Sequence, residues 1–130
     1  MTKSKTVIKP ARAAVAVGPY SQAVRLGGFL FCSGQIPIVS ETGVLVVGDI
    51  RAQTQRALEN IKLILQDQGL DFSNVVKTTV FMTNLGDFTG MNETYASYFT
   101  GDFPARSTVQ VAALPKGVNV EIEVLAHYNE

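Results

Sequence analysis

From Asp49 onward, apolar or small side chains recur at three- and four-residue steps: Ile50, Thr54, Ala57, Leu58, Ile61, Ile64 and Leu65, stopping at Gly69. That spacing predicts an amphipathic helix with Asp49 as N-cap and Gly69 as a left-handed stop. Its single apolar stripe needs something flat to lie on. A second helix is predicted from Asp87, its expected cap, through the stripe Phe88, Met91, Tyr95, Tyr98 and Phe99 to Gly101. Gly90 weakens its first turn by about 1 kcal/mol relative to Ala, a cost that a well-packed stripe offsets.

Other stretches carry the two-residue period of strands. After a lysine-bearing start, Val17 to Val24 opens with a Gly-Pro turn signal, and Gly28 to Ile38 reads as a strand. Strict alternation there puts Leu30, Cys32 and Gly34 on one face and Phe29, Phe31, Ser33 and Gln35 on the other. Glu41-Thr42-Gly43 makes a tight turn into the short apolar run Val44 to Val47. Val75 to Thr83 is rich in β-branched residues and predicts another strand. Two more follow, Ser107 to Ala112 and Val118 to His127, joined through LPKG. The order is hairpin, helix, strand, helix, hairpin, which predicts an α+β fold with two helices on one face of a mixed sheet. Aromatics and valines fall on both faces of several strands, so the uncovered face is expected to meet another subunit.

The 130 residues suit one domain, 1–130, with a sizeable core. Eleven basic and eleven acidic residues cancel, which argues against nucleic acid or an anionic membrane as the main partner. A single cysteine, Cys32, excludes a disulfide framework within the chain and points to a reducing compartment, the cytoplasm. No stretch has the length of a signal peptide's apolar run or of a membrane span, so a soluble protein is expected. The chain also lacks a P-loop, a spaced glycine fingerprint and a CxxC pair, and its one histidine, His127, cannot assemble a multi-histidine zinc site or make Ser-His-Asp catalysis a strong expectation.

Chemistry then rests on Arg106, the one cation in FPARSTVQV, and on Glu121 in the last strand. If their strands pair as a hairpin through LPKG, both side chains lie near each other on one face. One reading is a cross-strand ion pair, worth about 0.2–1 kcal/mol. The other has Arg106 clamping a ligand carboxylate with its planar fork while Glu121 directs or deprotonates a water, as hydrolysis of a small acid requires.

Four stretches carry a family resemblance: GPYSQAV (18–24), SGQIP (33–37), KTTVFMTNLGDF (77–88) and FPARSTVQVAALPKGVNVEIE (103–123). Together they closely resemble the RidA family, also called YjgF-like, of enamine/imine deaminases. The resemblance implies a chorismate-mutase-like domain with a mixed six-stranded sheet, assembled as a homotrimer with sites in the clefts between subunits. It implies hydrolysis of reactive 2-imino acids, tautomers of the enamines that pyridoxal-phosphate-dependent serine and threonine dehydratases release, to 2-keto acids and ammonia, with no metal or organic cofactor. By the same resemblance Arg106 binds the substrate carboxylate and Glu121 positions the attacking water. Tyr20 and Ser33 line the pocket with Gly34 beside them, and Phe88, Asn92 and Pro115 supply further wall positions. Thr108 also faces substrate, and stands where many relatives carry a cysteine, so no thiol is present there. A ribonuclease or translation-inhibitor role is also attached to the family, but neutral charge and the lack of a basic-aromatic stripe argue against it. A non-catalytic sensor of small acids, or a chaperone-like protein, is the third reading.

Overall fold

The computed structural model describes residues 4–16 and 18–129; Val17, and residues 1–3 of the lysine-bearing start, lie outside the described residues. Its strands are β1 (Thr6–Ile8), β2 (Ala23–Leu26), β3 (Phe29–Gln35), β4 (Val75–Met82), β5 (Ala105–Gln110) and β6 (Val120–His127), and its α-helices are α1 (Ile50–Asp67) and α2 (Phe88–Ala96). The six strands form one sheet in the order β1-β2-β3-β6-β4-β5. β4 and β5 run parallel, joined by a crossover through α2, and the other neighbours are antiparallel.

Both predicted helices form. The Asp49 carboxylate accepts from Arg51 N at 3.0 Å, and Gly69 holds φ +70° just beyond the end of α1. The stripe Thr54, Ala57, Leu58, Ile61, Ile64 and Leu65 is buried against Leu30, Val80, Val120, Ile122 and Ala126 of the sheet, each large side chain contributing roughly 1.5–3 kcal/mol. Buried Asn60 on the same helix donates to the carbonyls of Ile36 (3.1 Å) and Ile38 (2.7 Å), satisfying its amide and pinning the chain that leaves β3. At α2, Asp87 occupies the N-cap position without a side-chain capping bond; Asn84 instead accepts from Gly86 N at 2.8 Å and starts a 3-10 turn. α2 closes at Ala96, short of Gly101, yet Tyr98 and Phe99 still pack on the core. A Cβ on Gly90 would lie 2.8 Å from Ile50 Cγ2, so glycine here permits the close approach of α1 and α2.

Three expectations about the strands are corrected. β3 pairs with β2, which precedes it, through a Gly27-Gly28 turn; the Glu41 to Gly43 turn forms, but Val44 to Val47 leads only to an isolated Leu45–Ile38 bridge. β5 and β6 do not form a hairpin. β4 lies between them, and LPKG makes a 3-10 turn at Pro115–Gly117 instead. The physical reason is β4 itself, buried or half-buried at most positions on both faces and so suited to the interior of a sheet, whereas β5 is largely exposed and suits an edge. Finally, the register between β3 and β6 slips between Cys32 and Gln35, a β-bulge that turns Gln35 into the core beside Ile122 and breaks the strict alternation.

The helices cover one face of the sheet. The opposite face leaves Val7, Leu26, Phe29, Phe31 and Val109 between 41% and 48% exposed.

Candidate functional site

Because β4 separates their strands, Arg106 and Glu121 do not meet within one chain. Arg106 pairs with Thr78, whose side chain is buried on the helix face, while Glu121 pairs with Phe81 on the uncovered face. Three register positions and two strand spacings put them about 10 Å apart in each direction. Among the described residues the only ion pair is Arg51–Glu93, so the ion-pair reading of Arg106 with Glu121 is excluded.

Arg106 is instead laid across aromatic rings. Its guanidinium carbon sits 4.7 Å from the Tyr95 ring centroid and 5.6 Å from that of Phe88, both on α2. Tyr95 is fixed in turn by a 2.8 Å hydroxyl–hydroxyl bond to Thr78, the residue opposite Arg106. Burial raises the Tyr95 phenol's pKa, and the Thr78 bond and nearby Arg106 partly counter it. Asn92, Tyr95, Phe103, Pro104 and Arg106 border a hollow of about 290 Å³. A guanidinium stacked on rings, with no ion pair to a carboxylate among the described residues, is oriented before any ligand arrives.

Thr108, two residues further along β5, lies opposite buried Val80, and its hydroxyl is itself buried without a hydrogen-bond partner. An unpaired buried hydroxyl costs about 1–3 kcal/mol. Thr108→Val is therefore expected to raise the thermal midpoint, which a melting curve would read; a lowered midpoint would mean that the hydroxyl has a structural partner.

The second group surrounds Glu121. Its carboxylate lies against Gly34 so closely that a Cβ there would come 1.9 Å from Oε2. Burial, then neighbouring Glu123, raises the Glu121 pKa above the usual carboxylate range. Tyr20, Gly34 and Lys116 line a smaller hollow beside it, with Lys116 held at φ +58° next to Pro115. Ser33 donates its hydroxyl to Ser21 O at 2.6 Å, so that proton serves the fold.

The structure thus gathers the expected residues into two sets: Arg106, Phe88, Asn92 and Thr108 near α2, and Tyr20, Ser33, Gly34, Glu121 and Pro115 around the bulge. Tyr95, Phe103, Gln22, Gln35 and Lys116 join them, as the sequence reading did not foresee. By sequence Tyr95 belongs only to an apolar stripe; its place seven residues after Phe88 and three after Asn92 is the one sequence signal that all three share a helix face. Cys32 is buried and its thiol pushed up to about 12, so it offers no thiolate. Among the described residues no cluster of three or more potential metal ligands occurs, and no helix is long and apolar enough to cross a membrane.

Residues 10–128 match the family model described as endoribonuclease L-PSP. The chain is 48% identical over 122 residues to the human 2-iminobutanoate/2-iminopropanoate deaminase, covering 94% of this chain and 89% of that one. Among solved structures it is similar to a conserved Rid-family protein of Yersinia pestis, with TM-score 0.92 and 51% identity over 95% of this chain and 99% of that one. It is likewise similar to E. coli TdcF with bound serine, with TM-score 0.90 and 43% identity over 95% and 99% of the two chains.

Proposed function

Because this chain belongs to the YjgF/RidA family, whose model carries the description endoribonuclease L-PSP, we propose that it is a hydrolytic deaminase of 2-imino acids, releasing 2-keto acids and ammonia. The observation that carries the reading is Arg106, stacked on Tyr95 and Phe88 beside an open hollow and unpaired with any described carboxylate. Human 2-iminobutanoate/2-iminopropanoate deaminase is a relative by sequence, and TdcF binds serine, a small molecule with the carboxylate such a fork accepts.

In this reading the substrate carboxylate takes two parallel hydrogen bonds from Arg106, each charged bond worth about 1.5–3 kcal/mol. Glu121, with its pKa raised by burial, is a proton acceptor nearer neutrality than an exposed glutamate. It takes a proton from water as the oxygen bonds to the imine carbon and returns that proton to the nitrogen, giving the carbinolamine. The hydroxyl proton then passes by way of Glu121 to the amine, the C–N bond breaks, and the hydroxyl oxygen becomes the keto group as ammonia leaves. Arg106 and Glu121 sit on opposite faces of one sheet, so a complete site takes Arg106 from one copy and Glu121 from another. The exposed Phe29 and Phe31 give a homotrimer its packing surface.

The test is keto-acid formation by a threonine dehydratase, with and without this protein. Acceleration is expected, rising with pH as Glu121 loses its proton, because only the carboxylate can accept one. This acid limb is expected above the ordinary glutamate range and to disappear in Glu121→Gln. No acceleration, with RNA cleavage by the purified protein in its place, would move the assignment to a ribonuclease.

A further inference from the structure

We propose that Gln22 and Gln35 are positioning residues that set the Glu121 half of the site, a role that rests on the deaminase reading above. Both amides are buried, at 9% and 4% exposure. Gln35 Nε2 donates to Gln22 Oε1 at 3.0 Å and to the carbonyl of Ser33 at 3.1 Å. Gln22 Nε2 passes the connection on to the carbonyl of Ala14. Two bonds from Ser33 run alongside, its N–H to Gln22 O at 2.9 Å and its hydroxyl to Ser21 O at 2.6 Å.

These bonds join the chain leaving Ala14, the Ser21-Gln22 segment and the bulge of β3. Each end carries a residue of the site. Tyr20 precedes the tied segment, and Gly34, against which the Glu121 carboxylate rests, is the residue between Ser33 and Gln35. Fixing the Ser33 carbonyl fixes the plane of the Ser33–Gly34 peptide, and with it the surface that Glu121 meets. The amides satisfy each other and two backbone carbonyls, so replacing both by apolar groups of similar shape removes their mutual bond together with its partners and leaves only the Ser33 and Ala14 carbonyls without these donors. A hydrophobic pair would fill the space, but it would leave only the two bonds from Ser33 to tie the bulge to the Ser21-Gln22 segment, and none from Gln35 to hold the Ser33 carbonyl. A displacement of about 1 Å at a reacting group costs on the order of a hundredfold in rate.

The decisive variant is therefore Gln22→Met/Gln35→Met, which removes both amides and keeps the volume. Dehydratase-coupled kinetics, the pH profile and amide hydrogen exchange are measured together. The expected result is a kcat lower by about 10- to 100-fold with KM within about threefold. The acid limb assigned to Glu121 should shift, and exchange should speed up over residues 14–22 while α1 stays protected. Gln35→Met alone serves if the double variant does not fold, because it removes the donor to Gln22 and to the Ser33 carbonyl while Gln22 keeps its bond to Ala14 and no charge is buried. A folded variant with wild-type kcat and acid limb overturns the proposal, as does failure of both variants to fold, which would make the pair a stability element. Should the wild type not accelerate keto-acid formation, the deaminase reading fails on its own, while unchanged exchange over residues 14–22 defeats the positioning role separately.

Discussion

Replacing Arg106 with Ala is expected to lower kcat/KM for 2-imino acids by at least about a hundredfold while leaving the fold intact. Two charged hydrogen bonds to one carboxylate contribute about 3–6 kcal/mol together, well beyond the 1.4 kcal/mol that each factor of ten requires. Losses to stability are small because Arg106 sits on edge strand β5 and has no ion pair among the described residues. What disappears from the fold is its packing over Tyr95 and Phe88, about 0.5–1 kcal/mol for each exposed contact of this type. Arg106→Lys should fall between, since it keeps the charge and loses the planar fork. The coupled assay beside a thermal melt separates the two effects; an undiminished rate in a folded Arg106→Ala protein removes Arg106 from the site.

Gly34→Ala is the second large effect, and its cause is steric. The new methyl carbon would stand 1.9 Å from Glu121 Oε2 and 2.8 Å from its Cδ, so the carboxylate must swing away. Its end is flexible and the side chain only half-buried, so accommodation costs little stability. Activity is another matter, because a base moved by 1 Å or more loses on the order of a hundredfold in kcat. The displaced carboxylate also reaches more water, so its acid limb should return toward the ordinary glutamate range. A Gly34→Ala protein with wild-type kcat and pH profile would show that Glu121 does not work from this position.

How far the sequence foretold the structure depends on whether the deciding interaction is local. α1 was legible because period, cap and stop all sit on one stretch, from Asp49 to Gly69. β2 was not: Ala23 to Leu26 is four residues long and contains Arg25, while the valine-rich run at Val44 to Val47 looked more like a strand and is mostly loop. LPKG carries turn chemistry, and nothing near it records that β4 inserts between the strands on either side. The bulge at Ser33 to Gln35 turns on Gln35 finding Gln22, a partner in another segment. In the site, Arg106 and Glu121 stood out as charges in apolar strands and through the family resemblance. Their relation to each other was misread because the strand pairing was. Tyr95 was hidden by its own hydrophobicity, since an aromatic in a helical stripe gives no sign that an arginine lies across it.

β6 follows every other strand in the sequence and yet occupies the interior of the sheet, with β3 on one side and β4 on the other. A nascent chain emerging from the ribosome therefore holds β1-β2-β3 and the β4-α2-β5 unit as separate pieces, each with an unpaired edge, until β6 is released. Vectorial folding stops short of a closed core, and completion is left to one late, long-range zippering step. Glu121 lies on that same strand, so the candidate base reaches Gly34 only as the sheet closes, and an incomplete chain carries no finished Glu121 half-site to expose.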